Sequence, residues 1–218
     1  MIRLAQSVMI VLTPLLLVLI AVRLVMTPVY LQIEYTRPGF PDDPYGFTRD
    51  ERLRYGPRAV AFLINDEPLT FLGDLTFDDG TPLFNQRELV HMHDVQIVTR
   101  YAFLAAVVLS VLYVACGLWL ASRKRAALAG AFQRGGIATL LLIVGIVVMA
   151  LAAWDRFFVL FHELFFTDGT WYFPTSDTLI RLFPEQFWFD AAIAIGVLSA
   201  LGAVAVWAAG VFIVRAVK

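Results

Sequence analysis

Three histidines, His91, His93 and His162, are the side chains of this chain best suited to moving a proton near neutral pH. Two of them have acids at helical spacing. Glu88, His91 and Asp94 fall at i, i+3 and i+6, and Asp155 and His162 are seven apart, on a face shared with Phe158 and Phe165. A carboxylate beside an imidazole selects its tautomer and favours its charged form. His93 points ~200° away from His91 on the same helix and has no such acid. Other chemistries find less support. No Gly-x-Ser-x-Gly elbow, no His-Glu-x-x-His run and no glycine-rich phosphate loop occurs. A metal centre built from His91, Asp94 and His162 stays open as a weaker alternative. Cys116, the single cysteine, has no intrachain partner and reads as a packing residue.

The elements that position these groups follow from composition. Of 218 residues, 60% are hydrophobic and 16% charged. Four apolar runs, at about 7–26, 102–121, 136–154 and 187–214, each suffice for a hydrocarbon core that takes roughly 20 helical residues. None alternates apolar and polar residues, so helices rather than a closed barrel are expected. All 18 Asp and Glu residues lie in two connections, 27–101 and 155–186 plus the first turns of the last helix. Arg3, the link 122–135 with Arg123, Lys124, Arg125 and Arg134, and the tail with Arg215 and Lys218 carry only positive charge. Because short basic loops stay inside, both termini are expected in the cytoplasm and the acid-bearing segments outside. The first run reads as an uncleaved anchor, since Thr27-Pro28-Val29-Tyr30 offers no small-x-small site. A net charge of −1 gives no footprint for nucleic acid.

Local signals divide the outer segments. Thr48-Arg49-Asp50-Glu51 has capping-box spacing, which predicts a helix to about Ile64, interrupted near Gly56-Pro57. Residues 70–83 read as a short hairpin around Asp78-Asp79-Gly80. Asn85 with Glu88 starts a helix that runs unbroken to about Ala121 and carries His91. The third span is expected to continue past Trp154 to about Phe166, carrying His162, until Thr167-Asp168-Gly169-Thr170 ends it. A short surface helix follows at 177–183, with Ser176 as a capping residue and Arg181 paired to Glu185 at i+4. The density of Phe, Trp and Tyr in 157–190 suits a membrane–water boundary, where an apolar ring body and a polar tip are both accommodated.

Two blocks carry a resemblance. Glu88-Leu89-Val90-His91-Met92-His93-Asp94-Val95 is one. The other comprises Phe161-His162, Gly169-Thr170-Trp171, Phe173-Pro174 and Asp177-Thr178-Leu179-Ile180-Arg181-Leu182-Phe183-Pro184-Glu185. Together with the four-span layout they resemble the bacterial lipoprotein intramolecular transacylases. This sequence departs from that pattern at Gln96, where many members have lysine, and in having His93 inside the motif. The resemblance implies movement of the sn-2 acyl chain of a diacylglyceryl group to the α-amine of a lipoprotein's N-terminal cysteine. It also implies a histidine pair, His91 and His162, with no cofactor.

The expectation is therefore an all-α membrane protein of four transmembrane helices, one integral domain over 1–218, with an extracytoplasmic cap of short helices and turns. It would sit in the bacterial cytoplasmic membrane as a monomer, among membrane lipid, acting on a diacylglyceryl-modified lipoprotein. His91 is the expected base on the α-amine and His162 the expected acid or oxyanion donor, with the reverse assignment also open. Asp94, Asp155 and Glu88 would support them, and Trp171, Tyr172 and Arg181 would line the site. The alternatives are a non-catalytic lipid-binding or assembly protein and a metal-dependent membrane hydrolase.

Overall fold

The computed structural model describes residues 1–167 and 169–217. Asp168, in the predicted turn, and Lys218, in the basic tail, lie outside the described residues. The regular elements of the described chain are all helices, α1 Ile2–Val25, α2 Pro28–Thr36, α3 Arg49–Ile64, α4 Thr70–Gly73, α5 Gln86–Arg123, α6 Arg125–Ala152, α7 Trp154–Phe165, α8 Thr178–Leu182 and α9 Glu185–Val217. Four of these, α1, α5, α6 and α9, are long and apolar enough to cross a membrane. The fold is therefore the expected all-α, four-span kind. Contacts divide it into two units, with the divisions falling inside α5 and α9 and near the ends of α1 and α6.

The first unit holds residues 1–23, 102–153 and the chain from Ile193 on. Lipid gives apolar side chains no reason to leave it, so helices in a bilayer associate by close packing at small residues and by hydrogen bonds. Both are present. A Cβ on Gly136 would stand 2.6 Å from the Ala203 carbonyl oxygen, and one on Gly210 would stand 2.7 Å from that of Ala129. Gln6 Nε2 donates to the Ala127 carbonyl at 3.1 Å, and Thr13 Oγ1 lies 3.2 Å from the Tyr113 hydroxyl. Met9, Leu120, Ala127, Leu128 and Ala131 form its buried cluster.

The second unit holds Leu24–Tyr101 and Trp154–Ala192. Its core is aromatic and aliphatic, centred on Leu31, Tyr35, Tyr55, Phe62, Leu72, Leu83, Leu182 and Phe187. Helix α2, absent from the predicted elements, starts with Thr27 as N-cap and Pro28 at its first position, where proline's missing N–H costs nothing. The capping box of α3 is present on both sides, Glu51 N–H to Thr48 Oγ1 at 3.2 Å and Thr48 N–H to Glu51 Oε2 at 2.6 Å. The predicted interruption at Gly56-Pro57 does not occur, and α3 runs through Pro57. Glycine at 56 serves packing instead, because a Cβ there would meet the Tyr35 ring at 3.2 Å.

Other boundaries also differ from expectation. Of the hairpin expected over 70–83, the first residues form α4 instead, and the turn at Asp78-Asp79-Gly80 is closed by a minimal antiparallel pairing, the Thr76 to Pro82 bridge with Leu83 N–H donating to the Leu75 carbonyl at 2.8 Å and Phe77 N–H to that of Thr81 at 2.9 Å. Gly80 takes φ +85° in that loop, a conformation glycine adopts without Cβ strain. The basic link shrinks to Lys124, since α6 already starts at Arg125. The third predicted helix is two helices. α6 stops at Ala152, Ala153 takes φ −158°, ψ 67°, and α7 begins at Trp154.

Candidate active site

His91 and His162 face each other within the second unit. The first turn of α5 is capped by Asn85 Oδ1, which accepts from the Arg87 and Glu88 backbone N–H groups at 3.0 and 3.1 Å. One turn further on, His91 is 7% exposed. His162 comes from α7, and the two imidazole centroids are 6.4 Å apart with ring planes at 24°. Aromatic rings enclose them. Phe166 and Phe173 stand 5.0 and 5.3 Å from His91. Phe158 lies 4.1 Å from His162, and Trp171 stacks on it at 4.7 Å and 28°. Tyr172 stacks in turn on Trp171 at 3.9 Å.

This enclosure fixes protonation. His162 Nδ1 lies 2.8 Å from the Phe158 carbonyl oxygen. A carbonyl only accepts, so Nδ1 carries the hydrogen and, in the neutral ring, Nε2 keeps the lone pair. Burial pushes the His162 pKa below its ordinary value, opposed by that hydrogen bond. Burial, with the nearby His162 as a lesser cause, pulls His91 down to about 4. Both rings are thus neutral at pH 7. His91 Nδ1 is buried with no hydrogen-bond partner among the described residues. Two neutral imidazoles side by side offer one lone pair and one N–H each, the combination an acid–base reaction needs.

The profile of the family described as "Lipoprotein intramolecular transacylase Lit" matches residues 7–188. The chain belongs to this family. A protein of Aquifex aeolicus (strain VF5), itself uncharacterized, is 28% identical over 209 residues, covering 96% of this chain and 94% of its own. Among solved structures, the membrane-integral lipoprotein intramolecular transacylase Lit from Bacillus cereus superposes with a TM-score of 0.76 at 22% identity. That match covers 99% of this chain and 96% of the other. Two variants of that protein with a histidine replaced, by arginine and by alanine, give TM-scores of 0.74 and 0.77 at 21% and 22% identity, over 99% of this chain and 92% and 94% of theirs. These likenesses establish a shared fold.

In this Lit-family chain, the other expected site residues are distributed unevenly. Trp171 is buried against His162, and Tyr172 is exposed on its outer side. Glu88 spends its hydrogen bonds away from His91. It is 1% exposed, and its two oxygens accept the Asn85 N–H at 2.7 Å and the Leu179 N–H at 2.6 Å. Burial raises its pKa while those two bonds lower it. Asp94 is half-buried and Asp155 exposed, and neither bonds to a histidine among the described residues. Arg181 does not pair with Glu185. Its Nε donates to Asp43 at 3.0 Å, and its guanidinium lies 4.7 Å over Phe47. Among the described residues, no group of three or more His, Cys, Asp or Glu side chains is gathered as a metal ion requires.

Sequence reading missed several contributors. Phe166 and Phe173 form walls around His91; Phe173 stands in the block that carries the resemblance but without a role, and only the aromatic density of the segment marks Phe166. Phe158 was visible as the i−4 neighbour of His162, though its carbonyl's role was not. Asp43 belongs to a Pro-rich turn and gave no sign of reaching Arg181, 138 residues later.

Proposed function

We propose that this chain catalyses intramolecular acyl transfer in a bacterial lipoprotein, moving the sn-2 acyl chain of the diacylglyceryl group to the α-amine of the N-terminal cysteine. The amine nitrogen attacks the sn-2 ester carbonyl, an amide C–N bond forms, and the ester C–O bond breaks. The amine loses one proton and the departing glycerol alkoxide gains one, so the sum is balanced without a cofactor. Donor and acceptor belong to one molecule, which supplies much of the proximity. An α-amine with a pKa near 8 is partly free at neutral pH, so a modest base suffices.

The observation that carries this reading is the hydrogen bond from His162 Nδ1–H to the Phe158 carbonyl, beside a second neutral ring. It favours His162 Nε2 as the base on the amine. His91, buried and held neutral, then suits the N–H donor that stabilises the oxyanion and returns a proton to the alkoxide. This reverses the order preferred from sequence, in which His91 is the base and His162 the acid or oxyanion donor. Asp94 and Asp155 remain outer candidates for tuning the pair, and Trp171 and Tyr172 for contacting substrate. The distribution of charge supports a multi-pass protein of the cytoplasmic membrane with both termini inside and the histidines at the outer face.

Transfer within one molecule leaves its mass unchanged, so the assay is fragmentation mass spectrometry of a diacylglyceryl lipoprotein N-terminus. The expected product has an N-acyl cysteine and a monoacylglyceryl thioether. His91→Ala and His162→Ala should each lose roughly 10²–10⁴ in rate. Turnover at the parent rate by both variants would refute the assignment. No turnover by the parent, with retained lipoprotein binding, would favour the non-catalytic lipid-binding reading.

A further inference from the structure

Helix α7 does more than present His162. Over Trp154–Phe165 its side chains sort into three arcs at 100° per residue. Phe158 and His162 turn inward, against Trp171. Asp155, Arg156 and Glu163 form an exposed polar arc. Leu160, Phe161 and Leu164 form the third arc and are 42%, 50% and 73% exposed, with Phe165, 45% exposed, at its border with the inward arc. No residue of α7 is buried. Large apolar side chains grouped on one exposed face mark a binding surface.

Chain connectivity says what that surface meets. α6 enters its apolar stretch after Arg134, and from there to Ala152 it rises about 27 Å at 1.5 Å per residue. That is close to the ~30 Å of a hydrocarbon core, so Ala152 lies near the far boundary of the span. Only Ala153 separates it from Trp154, a reach of at most about 7 Å. Tryptophan is itself a boundary residue. At 12 residues α7 is about 18 Å long, too short to cross, and its polar arc excludes a buried path.

We propose that α7 is an in-plane interfacial helix whose Leu160, Phe161 and Leu164 face inserts into the bilayer surface. Such helices bury their apolar side about 5–10 Å into the headgroup–acyl boundary. His162 sits where the inward arc meets the polar one, so α7 sets its depth. A consequence, which rests on the acyl-transfer reading, is that the imidazole is held at the level of a lipid's glycerol esters.

The test uses the full chain in a Cys116→Ser background, with single substitutions Arg156→Cys, Leu160→Cys, Phe161→Cys, Glu163→Cys and Leu164→Cys. Each carries a nitroxide and is reconstituted in phosphatidylethanolamine–phosphatidylglycerol vesicles. Collision with oxygen, which partitions into lipid, is compared with collision with a water-soluble nickel chelate. Sites 160, 161 and 164 should show an oxygen-to-nickel ratio several-fold above sites 156 and 163. A ratio that does not vary with helical position would overturn the proposal. So would exclusion of both reagents from the apolar sites, which would mean cover by protein, such as a second copy. The same pattern in a His162→Ala background is expected, which separates lipid contact from catalysis.

Discussion

Replacing Glu88 tests how the site is braced. Its carboxylate is 1% exposed and accepts two backbone N–H groups, one at the head of its own helix and one at Leu179 of α8. Glu88→Leu keeps most of the volume and leaves the buried Leu179 N–H without an acceptor, at about 1–3 kcal/mol, while the Asn85 N–H of an exposed residue turns to water at a cost of up to about 1 kcal/mol, or ~1–4 kcal/mol together. Against a total stability on the order of 5–15 kcal/mol, that is a large fraction. Glu88→Gln retains one acceptor but turns an amide N–H₂ toward the other donor, and should lose about half as much. For a chain of this length each kcal/mol shifts the melting temperature by about 2–4 °C, so Glu88→Leu should melt roughly 2–16 °C lower in detergent. Acyl transfer by Glu88→Gln, assayed well below its melting temperature, should fall through kcat, because α8 follows the segment whose Trp171 and Phe173 frame the histidines. Glu88→Leu melting with the parent would show that the brace is dispensable and the reasoning wrong.

Further outcomes follow from other contacts. His91, ordinarily near 6.5 and here about 4, stays neutral in the fold while the unfolded chain takes up a proton. Stability should therefore be complete above pH 6.5 and fall by about 3 kcal/mol on acidification to pH 4. A His91→Phe chain should show a shallower fall by thermal melting over that range, because Glu88, with its raised pKa, acts in the opposite sense and is common to both. Gln96 Nε2 has two hydrogens for the carbonyls of Phe62, in the last turn of α3, and of Asn65 and Glu67 just after it, at 2.8, 3.2 and 3.1 Å. Gln96→Lys supplies three donors and a positive charge, and should match the parent or gain up to about 1 kcal/mol in denaturant titration, whereas Gln96→Leu should lose about 1–2. Asp43, 3% exposed in its pair with Arg181, makes Arg181→Ala cost about 3–5 kcal/mol by leaving a buried charge. Glu185→Gln should cost almost nothing, and the reverse ranking would restore the local pair.

Much of this architecture is legible in the sequence because it rests on short-range rules. Unbroken apolar length marks α1, α5, α6 and α9, and the Thr48–Glu51 and Asn85–Glu88 spacings mark two helix starts. What fails to show depends on distant partners. Gly56-Pro57 reads as a break, yet the Tyr35 ring packed at Gly56 and the helix on both sides hold α3 together. Helical periodicity continues across Ala153, so nothing local announces that α6 ends there. Arg181 has an acid at i+4, and the nearer pairing loses to Asp43, which is buried and has fewer alternatives. Glu88 shares a face with His91, but face-sharing does not say which hydrogen-bond donors a carboxylate will meet. The sequence likewise indicates which helices carry the histidines, while their separation is a product of how residues 171–183 are pinned.

That pinning limits how the family can vary in length. Helix α8 has five residues, and its backbone is held by three remote side chains: Glu88 at the Leu179 N–H, Arg52 at the Arg181 carbonyl and Tyr35 at the Leu182 carbonyl. Adding or deleting one residue between 178 and 183 would rotate the short helix and misplace at least two of the three anchoring points at once. Among the described residues the exposed turn at 78–81 is held from a distance by a single exposed ion pair, Arg54 to Asp78, and by no bond to its backbone from a remote side chain. Relatives aligned to this chain should therefore open gaps near Asp78 and keep the 178–183 stretch at constant length.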